Sequence, residues 1–226
     1  MTKIKRVQIY GERCSGTNYL KKLIETNFEE PVVNNVGYGH KHFFGFQDLK
    51  NSKDVLFICI VRDPFTWLNS FYKKPWHVDP KITRSIDSFL GEEFSSYYDV
   101  SHGPERNGLQ IIEDTNIFYP KSNYKNIFEL RYTKIKWMLE VLPRKVEHCL
   151  FVRYEDFINS FTNTMYLLKN KGLTVKDINV FPKNYYKYKD SNKQYTPVDK
   201  EIVLSKNIVL NHTEFSPLFE KRLGYI

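Results

Sequence analysis

The chain has 226 residues, 41% hydrophobic and 16% aromatic, which allows a substantial core in one domain and argues against intrinsic disorder. Its formal net charge of +8, from 34 Lys and Arg against 26 Asp and Glu, suits a polyanionic partner or a solvated basic surface without choosing between them. Cys14, Cys59 and Cys149 are far apart with no C-x-x-C spacing, against a disulfide framework or a structural zinc site.

In chain order, "VQIY" (7 to 10) reads as a short buried strand. "GTNYLKKLIETNF" follows as a helix, with Leu20, Leu23, Ile24 and Phe28 on one face at 3.6-residue spacing. "PVVNNV" is a weaker second strand. "VLFICIV" (55 to 61) is continuously apolar and β-branched, as an interior parallel strand should be. In "RDPFTWLNSFYKK", Asp63 is an N-cap and Pro64 the first helical residue.

A helix from about 126 to 142 carries the stripe Phe128, Tyr132, Ile135, Leu139 and Leu142, and Pro143 stops it. "CLFV" (149 to 152) is a third strand, and "RYEDFINSFTNTMYLLKN" a helix ending near Gly172. Cys59 and Cys149 read as buried small hydrophobes. Two stretches break the rhythm: residues 91 to 125, rich in Tyr, Ser, Gly and Asn, and the basic, aromatic residues 183 to 197.

Strands alternating with helices predict an α/β fold in three layers, a mostly parallel central sheet flanked by helices. One domain over 1–226 is expected, with an irregular insertion at about 91–125 and a basic loop at about 183–197. No stretch approaches 18 apolar residues and no apolar leader opens the chain, so a soluble cytoplasmic protein without a membrane span is expected.

The connection between the first strand and helix, "GERCSGTNYL" (11 to 20), has the outline of a phosphate loop. Gly11, four residues and Gly16 fit the pattern, but Thr17 stands where a triphosphatase has lysine. Backbone N–H groups at a helix N-terminus bind anions without that lysine. Ser15, Thr17 and Asn18 add side-chain donors, so the loop suits a nucleotide phosphate, though not obviously that of ATP. Arg62 leaves the end of the strongest strand and Ser70 follows eight residues later, a charged clamp and a hydroxyl for a second phosphate. Tyr154 leaves the third strand at the same sheet edge, where open α/β sheets bind ligands.

These three stretches together resemble the sulfotransferases. "RCSGTNYL" is similar to their 5′-phosphosulfate loop, K-S-G-T-T-W-L. "VRDPFTWLNSFY" looks like their 3′-phosphate motif, an Arg and a Ser eight apart. "LFVRYEDF" is similar to their L-F-Y-E-D segment, whose tyrosine lies near adenine. The nearest pattern is a divergent microbial or viral group with G-E-R-x-S-G-T-N and a K-H pair soon after. The resemblance spans about residues 6 to 160 and implies a P-loop-like sulfotransferase fold. It also implies the donor 3′-phosphoadenosine 5′-phosphosulfate and a reaction without metal. In one departure, Cys14 stands where the family has its loop lysine; Arg13 or Lys41 would supply that charge. Cys14 at a helix N-terminus also admits a redox reading.

Transfer to a hydroxyl needs a base, and "GYGHKHFFGF" (37 to 46) supplies His40, Lys41 and His42. His42 is the first candidate base and His40 the second, with Lys41 stabilising charge on the sulfuryl group. His77, His102, His148 and His212 have no comparable sequence context. Lys193, in "KDSNKQY", would meet the 3′-phosphate, with Tyr195 as an aromatic wall.

The expected function is transfer of a sulfuryl group to an acceptor hydroxyl, with carbohydrate favoured by the Tyr and Asn content of 91 to 125. The alternatives are a P-loop kinase or other phosphotransferase, and a non-catalytic nucleotide binder. No nucleic-acid recognition motif is present. Neither oligomeric state nor acceptor identity is legible.

Overall fold

Three of the apolar runs form parallel strands in the computed structural model, which describes residues 2–33, 37–178 and 202–226. They are β1 (Arg6–Tyr10), β2 (Val55–Val61) and β3 (His148–Arg153), side by side in the order β1-β2-β3. Val7 pairs with Leu56, Ile9 and Leu150 flank Ile58, and Ile60 pairs with Val152, so these side chains share one face. The chain is thus α/β, with a small, open, wholly parallel three-stranded sheet.

Residues 31 to 33 line the other edge of β1. Val7 N–H donates to Pro31 O (2.9 Å) and Val33 N–H donates to Val7 O (2.8 Å), around a parallel bridge between Val7 and Val32. The second strand expected over "PVVNNV" is reduced to this bridge among the described residues; 34–36 lie outside them. The chain therefore passes from β1 to one of its edges and then returns to the other as β2. The carboxyl end of β1 is a point where strand order reverses, the usual place for a ligand crevice in such sheets.

Packing divides the chain into two compact units. The first, Met1–His42, Gln47–Arg62 and Met138–Lys200, holds the sheet. Its helix α1 (Thr17–Asn27) buries Leu20, Leu23 and Ile24 against Val7, Ile9, Leu56, Ile58 and Ile60, with Phe28 just past its end. Each of these large side chains contributes about 1.5–3 kcal/mol by leaving water. On the opposite face Tyr10 and Tyr38 both stack on Phe57, with centroids 5.6 and 5.7 Å away.

The single helix expected after β3 is two, α5 (Tyr154–Asn159) and α6 (Phe161–Asn170). Ser160 leaves the helical region at φ −139° and ψ 43°, and the Thr164 hydroxyl caps the break by donating to Asp156 O (3.1 Å) or Ser160 O (3.0 Å). Cys59 is buried as expected, whereas Cys149 is only half-buried; both thiols are free of disulfides. Burial, with the Cys149 thiol beside it, pushes the Cys59 thiol up.

The second unit, Phe43–Phe46, Asp63–Trp137 and Glu201–Ile226, is helical. It contains α2 (Pro64–Lys73), α3 (Ile86–Gly91), α4 (Ile127–Lys136), α7 (Lys206–Leu210) and α8 (Pro217–Arg222). Asp63 caps α2 as expected, its Oδ1 accepting from Thr66 N–H at 2.9 Å. The helix expected over 126–142 is α-helical only to Lys136, continuing as a π-helical turn (Trp137–Val141) and a 3₁₀ turn (Leu142–Arg144).

The stripe expected on α4 also differs, because Tyr132 is 40% exposed while Arg131 and Lys134 are buried. Their charges have distant partners. Arg131 grips Glu220 in a fork of 2.6 and 2.8 Å, and Lys134 meets Asp114, which also accepts from Ser96. Residues 91–125 are held by short 3₁₀ turns and by antiparallel bridges such as Phe94 to Tyr124 and Tyr97 to Gln110. Among the described residues, no helix is long and apolar enough to cross a membrane.

Candidate functional site

Gly11 directly follows β1, and both of its backbone polar groups are engaged by the histidine segment. Gly11 N–H donates to Lys41 O (3.0 Å), and His42 Nδ1 lies 2.6 Å from Gly11 O. Tyr10 O–H donates to Tyr38 O, and Gln8 reaches Gly39 O at 3.5 Å. The segment 38–42 is thereby tied along the carboxyl end of β1. Gly11 has no room for a side chain, since a Cβ would lie 2.6 Å from Ile60 O and 2.8 Å from Ser15 Oγ.

The loop itself turns tightly. Ser15 N–H and Oγ–H both donate to Glu12 O, at 3.1 and 2.6 Å. Cys14, at φ 62°, and Gly16, at φ 100°, take the left-handed conformation, which is easy for glycine and costly for cysteine. Gly16 starts α1 with no side-chain cap, and the first turn of α1 carries no acidic residue. An uncapped N-terminus of this kind carries partial positive charge and N–H donors suited to an anion. Ser15 and Thr17 are buried and Asn18 is exposed.

Arg62, at the carboxyl end of β2, reaches this loop. Its Nη1 donates to Cys14 O (3.2 Å), and its guanidinium lies 4.8 Å from the centroid of the Tyr154 ring. That ring, at the carboxyl end of β3, also lies against Gly16. Three motifs far apart in sequence thus converge: the loop, Arg62 and Tyr154.

Arg13 is 1% exposed, and its Nε donates to Glu12 Oε1 at 2.6 Å. Its charge therefore meets a carboxylate inside the loop it was expected to serve. Lys41 is differently placed: its Nζ donates to Asn18 Oδ1 on the first turn of α1. Burial and then the charge of Lys21 bring Lys41 below the ordinary lysine range.

The two histidines differ by tautomer. Gly11 O can only accept, so His42 Nδ1 carries the proton and the neutral ring has its lone pair on Nε2. His40 Nδ1 accepts from His42 N–H at 3.3 Å, which leaves the proton of neutral His40 on Nε2. The rings meet edge to face with centroids 5.1 Å apart. Burial above all holds His42 well below the usual histidine range; Glu12 opposes this, and His40 and Lys41 reinforce it. Burial thus favours the neutral form of the His42 ring.

Ser70 belongs to the second unit, buried on α2. Lys193 and Tyr195, with the whole 183–197 loop, lie outside the described residues. Sequence reasoning missed Glu12, although an acid directly before Arg13 was visible. It also missed the pairing of Gly11 with Lys41 and His42, which no local pattern announces. Histidines 77 and 102, set aside for lack of context, meet Asp99 in the second unit.

No family model matches the chain, and no curated protein matches its sequence.

Proposed function

We propose that the protein is a sulfotransferase on a P-loop-like sulfotransferase fold. It would move a sulfuryl group from 3′-phosphoadenosine 5′-phosphosulfate to an acceptor hydroxyl. The observation that carries this reading is the convergence of the Gly16 loop, Arg62 and Tyr154 at the carboxyl ends of three adjacent parallel strands, beside His42. A donor with phosphates at both 5′ and 3′ positions needs two anion contacts and a base-stacking surface. The uncapped start of α1, Arg62 and the Tyr154 ring suit those needs.

In the proposed reaction the acceptor oxygen forms a bond to sulfur while the bond from sulfur to the bridging phosphate oxygen breaks. The leaving electron pair goes to the phosphate, and the acceptor proton goes to His42 Nε2. Lys41, held at Asn18, balances charge developing on the transferring group. Positioning supplies much of the rate. A carbohydrate acceptor is favoured by the Tyr-rich and Asn-rich insertion at 91–125.

The test is thermal stabilisation by 3′-phosphoadenosine 5′-phosphate compared with ATP plus magnesium. The expected result is a rise in Tm with the bisphosphate and little with ATP. A rise with ATP and magnesium alone would overturn the reading in favour of a phosphotransferase. Binding of the bisphosphate without turnover on any hydroxyl acceptor would leave a nucleotide binder.

A further inference from the structure

The second unit contains a cleft of about 750 Å³ lined in part by Lys73, Trp76, His77, Tyr97, Tyr98 and Asp99. Two segments build the wall that carries His77 and Asp99. Tyr97 N–H donates to His77 O (3.0 Å) beside an antiparallel bridge between Val78 and Ser96, fixing the first segment against the second. Asp99 then caps a 3₁₀ turn, Val100–His102. Three residues per turn eclipse side chains at i and i+3, so His102 returns to stand beside Asp99. His77 sits at φ 58°, a left-handed conformation that is uncommon outside glycine, though histidine takes it more readily than most residues, and that clusters at functional sites.

We infer that His77, Asp99 and His102 form a binding site for one divalent transition ion of the zinc type. His77 Nδ1 is 3.4 Å from Asp99 Oδ2, and His102 Nδ1 is 3.1 Å from Asp99 Oδ1. One ligand atom from each residue can be chosen so that all three lie within 4.8 Å of one another. Tetrahedral ligands at about 2.0–2.1 Å from zinc are separated by roughly 3.3–3.4 Å; the two His–Asp99 spacings, each to its own carboxylate oxygen, are close to this, and side-chain rotation would draw the full set in from 4.8 Å. Two imidazoles and one carboxylate are the donor types zinc accepts, and three protein ligands leave a position for water or a cleft ligand.

The protein already orders the set. The Asp99 Oδ1 atom accepts from Ser101 N–H (3.0 Å) and from the Ser101 hydroxyl, which fixes the carboxylate and leaves Oδ2 toward His77. The two imidazole rings lie with centroids 4.9 Å apart, and Phe43 and Tyr98 pack on them at 5.9 and 5.2 Å. On binding, each neutral ring would present the Nδ1 lone pair to the ion and carry its proton on Nε2. Because His77 and Asp99 line the cleft, the ion would sit in its wall, next to the lysines and aromatic rings.

The experiment uses the full chain, stripped with a chelator and titrated with Zn²⁺ against a chromogenic competitor, then with Co²⁺ by visible absorption. One equivalent of Zn²⁺ should bind, with visible Co²⁺ bands of a four- or five-coordinate nitrogen and oxygen site. His102→Gln and His77→Ala should each weaken binding at least tenfold, while a His40→Ala, His42→Ala double variant should not change it. Because the His102 side chain is 34% exposed, His102→Gln should fold even where His77→Ala does not. Absence of stoichiometric binding, affinity unchanged in His102→Gln, or loss only in the His40, His42 variant would overturn the site.

Discussion

Gly16 lies directly against the ring of Tyr154: a Cβ at position 16 would stand 2.5 Å from Tyr154 Cδ2. The contact links the loop after β1 to the residue after β3, and it also forces the left-handed backbone at Gly16 onto a position with no spare volume. Gly16→Ala should therefore destabilise by about 1–3 kcal/mol, from backbone strain together with the clash. In a Tyr154→Ala background the steric part should vanish, leaving the left-handed cost of about 1–2 kcal/mol. Denaturant unfolding of the two single variants and the double variant checks this; strict additivity would refute the contact.

His42 and His40 separate as bases by the hydrogen bonds on their Nδ1 atoms. If the proposed transfer is correct, His42→Ala should lower kcat about 10²–10⁴-fold with little change in bisphosphate affinity. His40→Ala should lower it far less. Because the His42 pKa is depressed by burial, the acidic limb of kcat/KM should fall below the ordinary histidine range near 6.5. The stability effect has a definite sign. The folded state resists protonating His42, so the unfolded state binds more protons as pH falls below about 6.5. This contribution is complete above that pH and is lost as pH falls toward the folded pKa. Denaturant midpoints at pH 7 and pH 5 should differ less in His42→Gln than in the wild type.

Much of the sheet was legible because β1, β2 and β3 are local apolar runs, and a parallel interior strand needs little more than that. The loop, Arg62 and Tyr154 were legible for a related reason: each sits at the end of such a strand, so the topology brings them to one edge. What stayed hidden depends on partners distant in sequence or on hydrogen bonds within the turn. Lys134 and Arg131 point inward because Asp114 and Glu220 meet them. A hydrophobic stripe gives no weight to such pairs and so points Tyr132 inward, where the fold puts Arg131 and Lys134. Asp99 and His102 gave no metal pattern in sequence because His77 is 22 residues earlier in the chain than Asp99. The charge of Arg13 is visible in the sequence, but its hydrogen bond to the Glu12 carboxylate is not.

Arg62 does two things at once, donating to Cys14 O and covering the Tyr154 ring. Lysine can match the charge but neither the planar stacking nor the fork of donors. Arg62→Lys should thus weaken bisphosphate binding nearly as much as Arg62→Ala, roughly 10–150-fold for loss of a charge-assisted hydrogen bond worth about 1.5–3 kcal/mol. Calorimetric titration of both variants checks this. Full affinity in the lysine variant would mean that Arg62 acts only as a point charge.

The Glu12–Arg13 pair makes the last prediction, and it concerns stability before catalysis. Both residues are buried, at 8% and 1% exposure, and the Glu12 carboxylate accepts from both the backbone N–H and Nε of Arg13. Glu12→Gln removes a buried carboxylate charge that Arg13 meets through both its backbone N–H and Nε, and breaking a buried ion pair from one side should cost about 3–5 kcal/mol. Removing both charges, as in Glu12→Gln with Arg13→Met, should cost less than the sum of the single changes, because the two groups interact directly. Denaturant unfolding decides it. If instead Glu12→Gln unfolds like the wild type, the Glu12 carboxylate is not what holds the Arg13 charge, and Arg13 returns as the cation that stands in for a loop lysine.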